Sequence, residues 1–176
     1  MNRKLLNRPL QSSRAGMSLL EVMIALAILL IASIGIMTMG TVAIATTENQ
    51  GHLAARTSEY AQDKMEQLNS LSWGDLTSDT TVFPPTSTGS GLTVGGSSDP
   101  NYPVTTPGTG YVDYLDISGQ PTTSTGDWFY IRVWQVSTFA PNLKQITVTA
   151  KARRQVGAPA GALPQSTLTT LKSNPF

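Results

Sequence analysis

RAGMSLLEVMIALAILLIASIGIMTMGTVAIATT, residues 14–47, decides how the rest of the chain is read. From Val22 to Thr47 it holds 26 residues without a charge. At about 1.5 Å per residue, a helix of that length crosses a hydrocarbon core of roughly 30 Å with length to spare. Arg3, Lys4, Arg8 and Arg14 precede it, and no acidic residue stands among them. Cations beside an apolar span stay cytoplasmic, so a single-pass topology is expected, with residues after 47 on the outer side. A cleaved secretory signal fits less well, because the apolar stretch exceeds the usual length of roughly 7–15 residues and no Ala-x-Ala site closes it.

Glu21 is the feature that an ordinary membrane anchor leaves unexplained. A carboxylate at the edge of an apolar segment costs free energy unless it reaches water or finds a cation. Ser18 stands three residues earlier, at capping-box spacing, which gives Glu21 a local role at a helix start but no cationic partner.

Arg14-Ala15-Gly16, then Met17-Ser18-Leu19-Leu20-Glu21-Val22, then MIALAILLIA together resemble the type IV pilin and pseudopilin family. Precursors in that family carry a short basic leader ending in Gly, followed by a hydrophobic helix with a Glu near its start. The resemblance implies that prepilin peptidase cuts after Gly16 and that the new amino group of Met17 is N-methylated. Glycine lets an extended chain reach a protease site without side-chain clash. The family more often has Phe where this chain has Met17, a familiar and equally apolar alternative. By the same resemblance, Glu21 pairs with the charged Met17 amine of a neighbouring subunit as the chain joins a filament. In a dry filament core two opposite charges attract strongly while either alone is penalised, so the pair checks register more than it glues. The implied partners are prepilin peptidase, a major pilin, other minor pilins or pseudopilins, and an inner-membrane assembly platform; no cofactor is implied. The implied location is a bacterial inner membrane, then a pilus or a periplasmic pseudopilus.

Helical periodicity continues past the membrane segment. Leu53, Thr57, Ala61, Met65, Leu68 and Leu71 recur at spacings of three or four, with Arg56, Glu59, Asp63 and Glu66 on the opposite side. One helix from Ser18 to Leu71 is therefore expected, roughly 80 Å long. Gly35, Gly40 and Gly51 lower its propensity locally and leave room for curvature or close packing. His52 stands without a second His or a paired carboxylate and is expected at the surface.

After Trp73 the pattern breaks. Residues 74–110 are rich in Ser, Thr, Gly and Pro, which points to a long surface connection with short strands near Thr81–Phe83 and Gly91–Val94. Strand signals follow at Tyr111–Ile117, at Trp128–Val136 (WFYIRVWQV) and at Leu143–Ala152 (LKQITVTAKA), with hairpin turns at PTTSTGD and STFAPN. In the last strand Ile146, Val148 and Ala150 share one face, while Lys144, Thr147, Thr149 and Lys151 are placed off it. Trp128, Tyr130 and Trp134 read as core and rim packing rather than a ligand platform. A further short strand is expected near Thr167–Leu171.

The expected fold class is α+β and pilin-like: a long N-terminal membrane and amphipathic helix packed on a small antiparallel sheet of about three to five strands. The chain divides into a basic leader (1–16), a transmembrane and filament-core half-helix (17–47), an amphipathic half (48–73), a head of loop and sheet (74–152) and a C-terminal tail (153–176). AQDKMEQL late in the helix, WFYIRVWQV and LKQITVTAKAR are similar to the minor pilins of the PilV type and the I-type secretion pseudopilins, which implies a minor subunit.

Composition narrows the function classes further. With no cysteine there is no disulfide, thiolate metal site or thiol nucleophile. The formal charge of +1 hides a basic leader: beyond residue 16, eight Lys and Arg face eleven Asp and Glu, a net −3. That balance gives no support to direct nucleic-acid binding. No nucleotide loop, zinc motif or nucleophile elbow is present, so a non-enzymatic structural subunit is expected.

Overall fold

The computed structural model of the chain describes residues 18–106, 109–154 and 162–175. Ser18 opens α1 (Leu19–Ser70), its Oγ accepting a hydrogen bond from the Glu21 N–H at 3.2 Å. This N-cap satisfies one orphan donor of the first turn, and the Glu21 carboxylate lies at the positive end of the helix dipole. No proline interrupts residues 10–83, and α1 is continuous for 52 residues, against the 54 expected. Its last turn carries no basic residue. Lysines from the sheet supply the missing donors instead: Lys172 Nζ donates to Asn69 O at 2.7 Å, and Lys144 Nζ to Trp73 O at 2.8 Å.

The described residues form two compact units, one ending at Ala43 and one beginning at Ile44. The first is helix alone. The second holds the rest of α1 and eight strands: β1 (Gly95–Gly96), β2 (Thr105–Thr106), β3 (Thr109–Gly110), β4 (Val112–Leu115), β5 (Pro121–Thr122), β6 (Tyr130–Ala140), β7 (Leu143–Ala152) and β8 (Gln165–Ser173). The main sheet has the order β5-β4-β6-β7-β8, with β1 also paired to β6, and every pairing is antiparallel. β2 and β3 form a separate small ribbon.

Leu53, Tyr60, Ala61, Met65 and Leu68 of α1 pack on the inward face of this sheet. They meet Tyr130, Trp134 and Val136 of β6 and Ile146, Val148, Ala150 and Ala152 of β7, with Leu92 closing the loop side. Val112, Ile131 and Val133 form a second cluster on the other face, beside Tyr114 and Trp128. Thus Trp134 and Tyr130 are core, while Trp128 is rim.

Four expectations change in the second unit. Residues 81–83 and 91–94 are not strands; the only extended pairing of the connection's first part is an isolated bridge between Asp79 and Thr86, followed by β1. The connection is nevertheless ordered by its acids. Asp75 accepts from the Thr77 and Ser78 amides and the Ser78 hydroxyl, and Asp79 accepts from the Thr81 amide and hydroxyl. These turns replace ladder bonds with side-chain acceptors. Gly96 (φ 81°) completes the descent, because a Cβ there would strike Trp134 O and the Tyr111 ring.

The second change is β6, which runs on to Ala140 through an irregularity at Thr138, so only Pro141 and Asn142 (φ 61°) form the turn to β7. A proline followed by an asparagine with positive φ suits so short a turn. Third, Lys144 lies on the same face as Ile146, Val148 and Ala150, as a period of two requires, and is buried. Fourth, the described part of the tail is largely sheet: residues 165–173 pair with residues 143–151 of β7, so the sheet does not end at residue 152.

Candidate assembly site

The site begins where the helix begins. Ser18 and Glu21 are both exposed on the first turn of α1. Among the described residues, no cation lies within 4 Å of the Glu21 carboxylate. Gly16 and Met17 lie outside the described residues. Beyond Glu21 the helix presents a largely apolar surface without a charge as far as Thr47: Ile31, Ile36, Met37 and Met39 are all at least 70% exposed.

That surface cannot remain in water. An 18-residue window of α1 has a mean hydropathy of 2.7 and none of it is buried in the protein. Its polar side chains are already satisfied within the helix. Ser33 Oγ donates to Leu29 O at 2.7 Å, Thr38 Oγ1 to Ile34 O at 3.0 Å and Thr41 Oγ1 to Thr38 O at 2.9 Å. A hydroxyl bonded to its own helix can enter an apolar phase without the desolvation penalty of a free one. A Cβ added at Gly35 or Gly40 would meet nothing, so both glycines leave open notches on this surface. The helix is thus ready for lipid or for other apolar helices, with an acid at its start that meets no cation among the described residues.

Residues 11–37 match the prokaryotic N-terminal methylation motif. The matched span joins the end of the basic leader, Gly16, Met17, Glu21 and the apolar helix as far as Met37. It supports a type IV pilin-like or pseudopilin subunit, a structural component processed by prepilin peptidase and assembled with other pilins. Together with the apolar helix it supports anchoring in a membrane and a place in a pilus or pseudopilus. No curated protein and no solved structure shows a significant match to the chain.

The head that this helix carries is pinned by charges that the hydrophobic pattern does not reveal. Lys64, on the buried stripe of α1, is 1% exposed. Its Nζ lies 2.7 Å from Asp113 Oδ2, donates to Thr80 O at 2.6 Å and sits 4.4 Å from the Trp134 ring centre. Asp113 in turn takes a bidentate fork from Arg132, with Nε and one terminal nitrogen both at 2.8 Å. The other terminal nitrogen of Arg132 reaches Asp63 at 2.9 Å, and Gln67 donates to the same carboxylate at 2.9 Å. Two cations and two anions thereby tie α1, β4, β6 and the connection at Thr80 into one neutral, hydrogen-bonded cluster.

Burial pushes the Lys64 ammonium pKa down, against the pull of Asp113. Burial also works against the Arg132 guanidinium, but Asp113 and Asp63 outweigh it and hold its pKa above the ordinary value. A signal for this cluster exists in the sequence. Asp113 and Arg132 fall on inward positions of their strands by the period-two rule, and Lys64 falls between Ala61, Met65 and Leu68. His52, by contrast, is exposed beside a cleft lined by Leu53, Arg56, Ile117 and Phe129.

Proposed function

We propose that this chain is a minor type IV pilin, which primes, modifies or decorates a pilus filament after cleavage between Gly16 and Met17. The observation that carries the proposal is the methylation motif ending in a helix whose apolar surface has no cover and whose Glu21 has no cation among the described residues. The mature Met17 amine of a neighbouring subunit supplies that cation. The similarity of AQDKMEQL, WFYIRVWQV and LKQITVTAKAR to PilV-type proteins favours a minor subunit, and the absence of cysteine removes the C-terminal disulfide that many major pilins carry. The head lies outside the cytoplasm, on a single-pass helix.

A pseudopilin of a type II secretion filament uses the same Gly16, Met17 and Glu21 chemistry and is the second reading, favoured by the equal likeness to I-type pseudopilins. An unpolymerised membrane-anchored binding module is the third, and it leaves Glu21 only a local role at the helix start. Glu21→Ala separates the third from the other two. Cleavage and membrane insertion should persist in that variant while the amount recovered in filaments falls. Undiminished recovery would remove the pairing role. Recovery of the wild type in sheared surface filaments supports the pilus; its confinement to the periplasm supports the secretion filament.

A further inference from the structure

The sheet has two ends, and its contacts with α1 tell them apart. At one end Lys172 and Lys144 donate to Asn69 O and Trp73 O, at the C-terminal end of the helix. At the other, Phe129 just before β6 lines a cleft with Asn49, His52, Leu53 and Ile117, and the Arg153 amide just after β7 donates to Phe129 O at 2.7 Å. Ile44 to Thr47 close the charge-free run and belong to the same compact unit as the sheet, so the distance from that run to this rim is read within one unit. At about 1.5 Å per residue, His52 stands roughly 8 Å beyond Thr47. The headgroup layer on each side of a bilayer has a similar depth, about 5–8 Å. The rim that carries Ile117, Trp128, Arg153 and Arg154 therefore meets that layer when the charge-free run is in hydrocarbon.

What the rim presents suits such a layer. Ile117, in the turn between β4 and β5, is 64% exposed. The turn is held beneath it by Asp116, whose Oδ1 accepts the amides of Ser118 and Gln120 at 2.8 and 2.9 Å. Arg153 and Arg154 are both exposed and each lies over an aromatic ring: Arg153 Cζ is 4.4 Å from the Trp128 centre and Arg154 Cζ is 5.9 Å from the Phe129 centre. Stacking occupies the face of a guanidinium and leaves the N–H donors around its edge available. Arg153 Nη1 gives one donor to Trp128 O at 3.4 Å, and among the described residues no carboxylate lies within 4 Å of either arginine. Asp127, exposed beside Trp128, likewise has no described cation within that distance.

We propose that this rim rests on the zwitterionic phospholipid headgroups of the bilayer that holds the helix, with Arg153 and Arg154 on phosphate oxygens, Asp127 on an ammonium group and Ile117 between headgroups. A guanidinium fork donates two parallel hydrogen bonds to a phosphate. Tryptophan, and arginine with its stem on an apolar surface, are the side chains that suit a membrane interface. Mixed charge selects a zwitterionic surface over an acidic one. Arg56 is already paired with Glu59 at 2.9 Å, and Glu48, Asp116 and Asp127 stand at the same end as the two arginines, so acidic lipid is repelled as well as attracted. The inference rests on the anchoring of the helix in a membrane and is the same for a pilus or a secretion filament.

The chain has no cysteine, so Ile117→Cys carries a nitroxide label as the sole thiol of the full protein. In nanodiscs of phosphatidylcholine and phosphatidylethanolamine, relaxation of the label by oxygen, which concentrates in the bilayer, is compared with relaxation by a water-soluble nickel chelate. Phe139→Cys is the reference, because Phe139 is 62% exposed and lies in β6 beside the turn to β7, at the opposite end of the sheet. The oxygen-to-nickel ratio should be about fivefold or more higher at 117 than at 139, and Arg153→Gln with Arg154→Gln should bring the two within about twofold. These arginines are exposed, so the unfolding midpoint of the double variant should stay near that of the wild type. Replacing half of the lipid with phosphatidylglycerol should leave the ratio at 117 unchanged or lower. Equal ratios at 117 and 139, a ratio indifferent to loss of both arginines, or a several-fold rise with phosphatidylglycerol would each overturn the proposal. A failed membrane reading looks different: the wild-type chain would not enter the nanodiscs at all.

Discussion

Asp113 is the residue on which the head's buried charges depend. It lies between two cations, 2.7 Å from Lys64 and 2.8 Å from Arg132, and removing it leaves both buried and facing each other. Breaking a buried pair in this way costs about 3–5 kcal/mol. Lys64→Met is a different change, because Asp113 keeps its fork from Arg132 and the vacated space is filled by an apolar chain. That substitution should cost less than about 2 kcal/mol. Urea unfolding of the full chain in detergent should therefore rank Asp113→Ala well below Lys64→Met; equal losses would show that the cluster is not held through Asp113. Lys64→Met, in contrast to Asp113→Ala, removes the donor to Thr80 O, so the connection should loosen in that variant.

Asp75 gives the connection a pH dependence. Burial raises its carboxyl pKa, but the hydroxyl and amide of Ser78, the amide of Thr77 and the charge of Lys144 outweigh burial and set it below the ordinary 3.8. A carboxyl whose folded pKa is depressed stabilises the fold fully above the unfolded value, and that stabilisation is lost as pH falls through the folded one. Acid unfolding of the wild type should thus steepen below pH 3.8, and Asp75→Asn should flatten that limb while lowering stability at neutral pH. Parallel stability–pH curves for the two proteins would contradict this.

At the scale of elements, legibility followed periodicity. The long helix and the β7 strand could be read because their apolar positions repeat at one period without interruption, and β7 runs over the expected residues Leu143–Ala152. Tyr60 was missed beside the stripe because it lies one step off the counted positions, yet it is buried edge-on to Tyr130 with ring centres 4.8 Å apart. The connection from 74 onward was not legible as strands because its order comes from Asx turns and lysine contacts rather than from alternation. β8 carries no hydrophobic alternation either: QSTLTTLKS exposes every second residue and only half-buries the others. Its pairing is decided by the neighbouring strand, whose edge would otherwise be open. The misplacement of Lys144 has a similar cause. A charge at an inward position looks like a break in the pattern until its acceptors, Trp73 O and Leu92 O, are seen.

For the whole molecule, two demands are divided along one helix. Its first part offers water nothing but an apolar surface and one acid, and each Leu, Ile or Val there favours the bilayer by roughly 0.3–0.6 kcal/mol. Its last part is committed to the sheet through a packed core and the Lys64 cluster. On the function proposed above, a membrane holds such a chain until other apolar helices replace the lipid, and Glu21 gains a use that a permanent anchor would not give it. The candidate site was legible because its order of parts is local in sequence: leader, glycine, acid, apolar run. What the sequence could not show is that β8 takes the last place in the sheet among the described strands, a place that exists only once β7 has formed.

The most direct test of this account is the intact mass and N-terminal sequence of the protein purified from its native membrane. The account predicts a single mature species that begins at N-methylated Met17. A chain that keeps residues 1–16 would contradict it and leave an ordinary signal anchor with an extracytoplasmic domain.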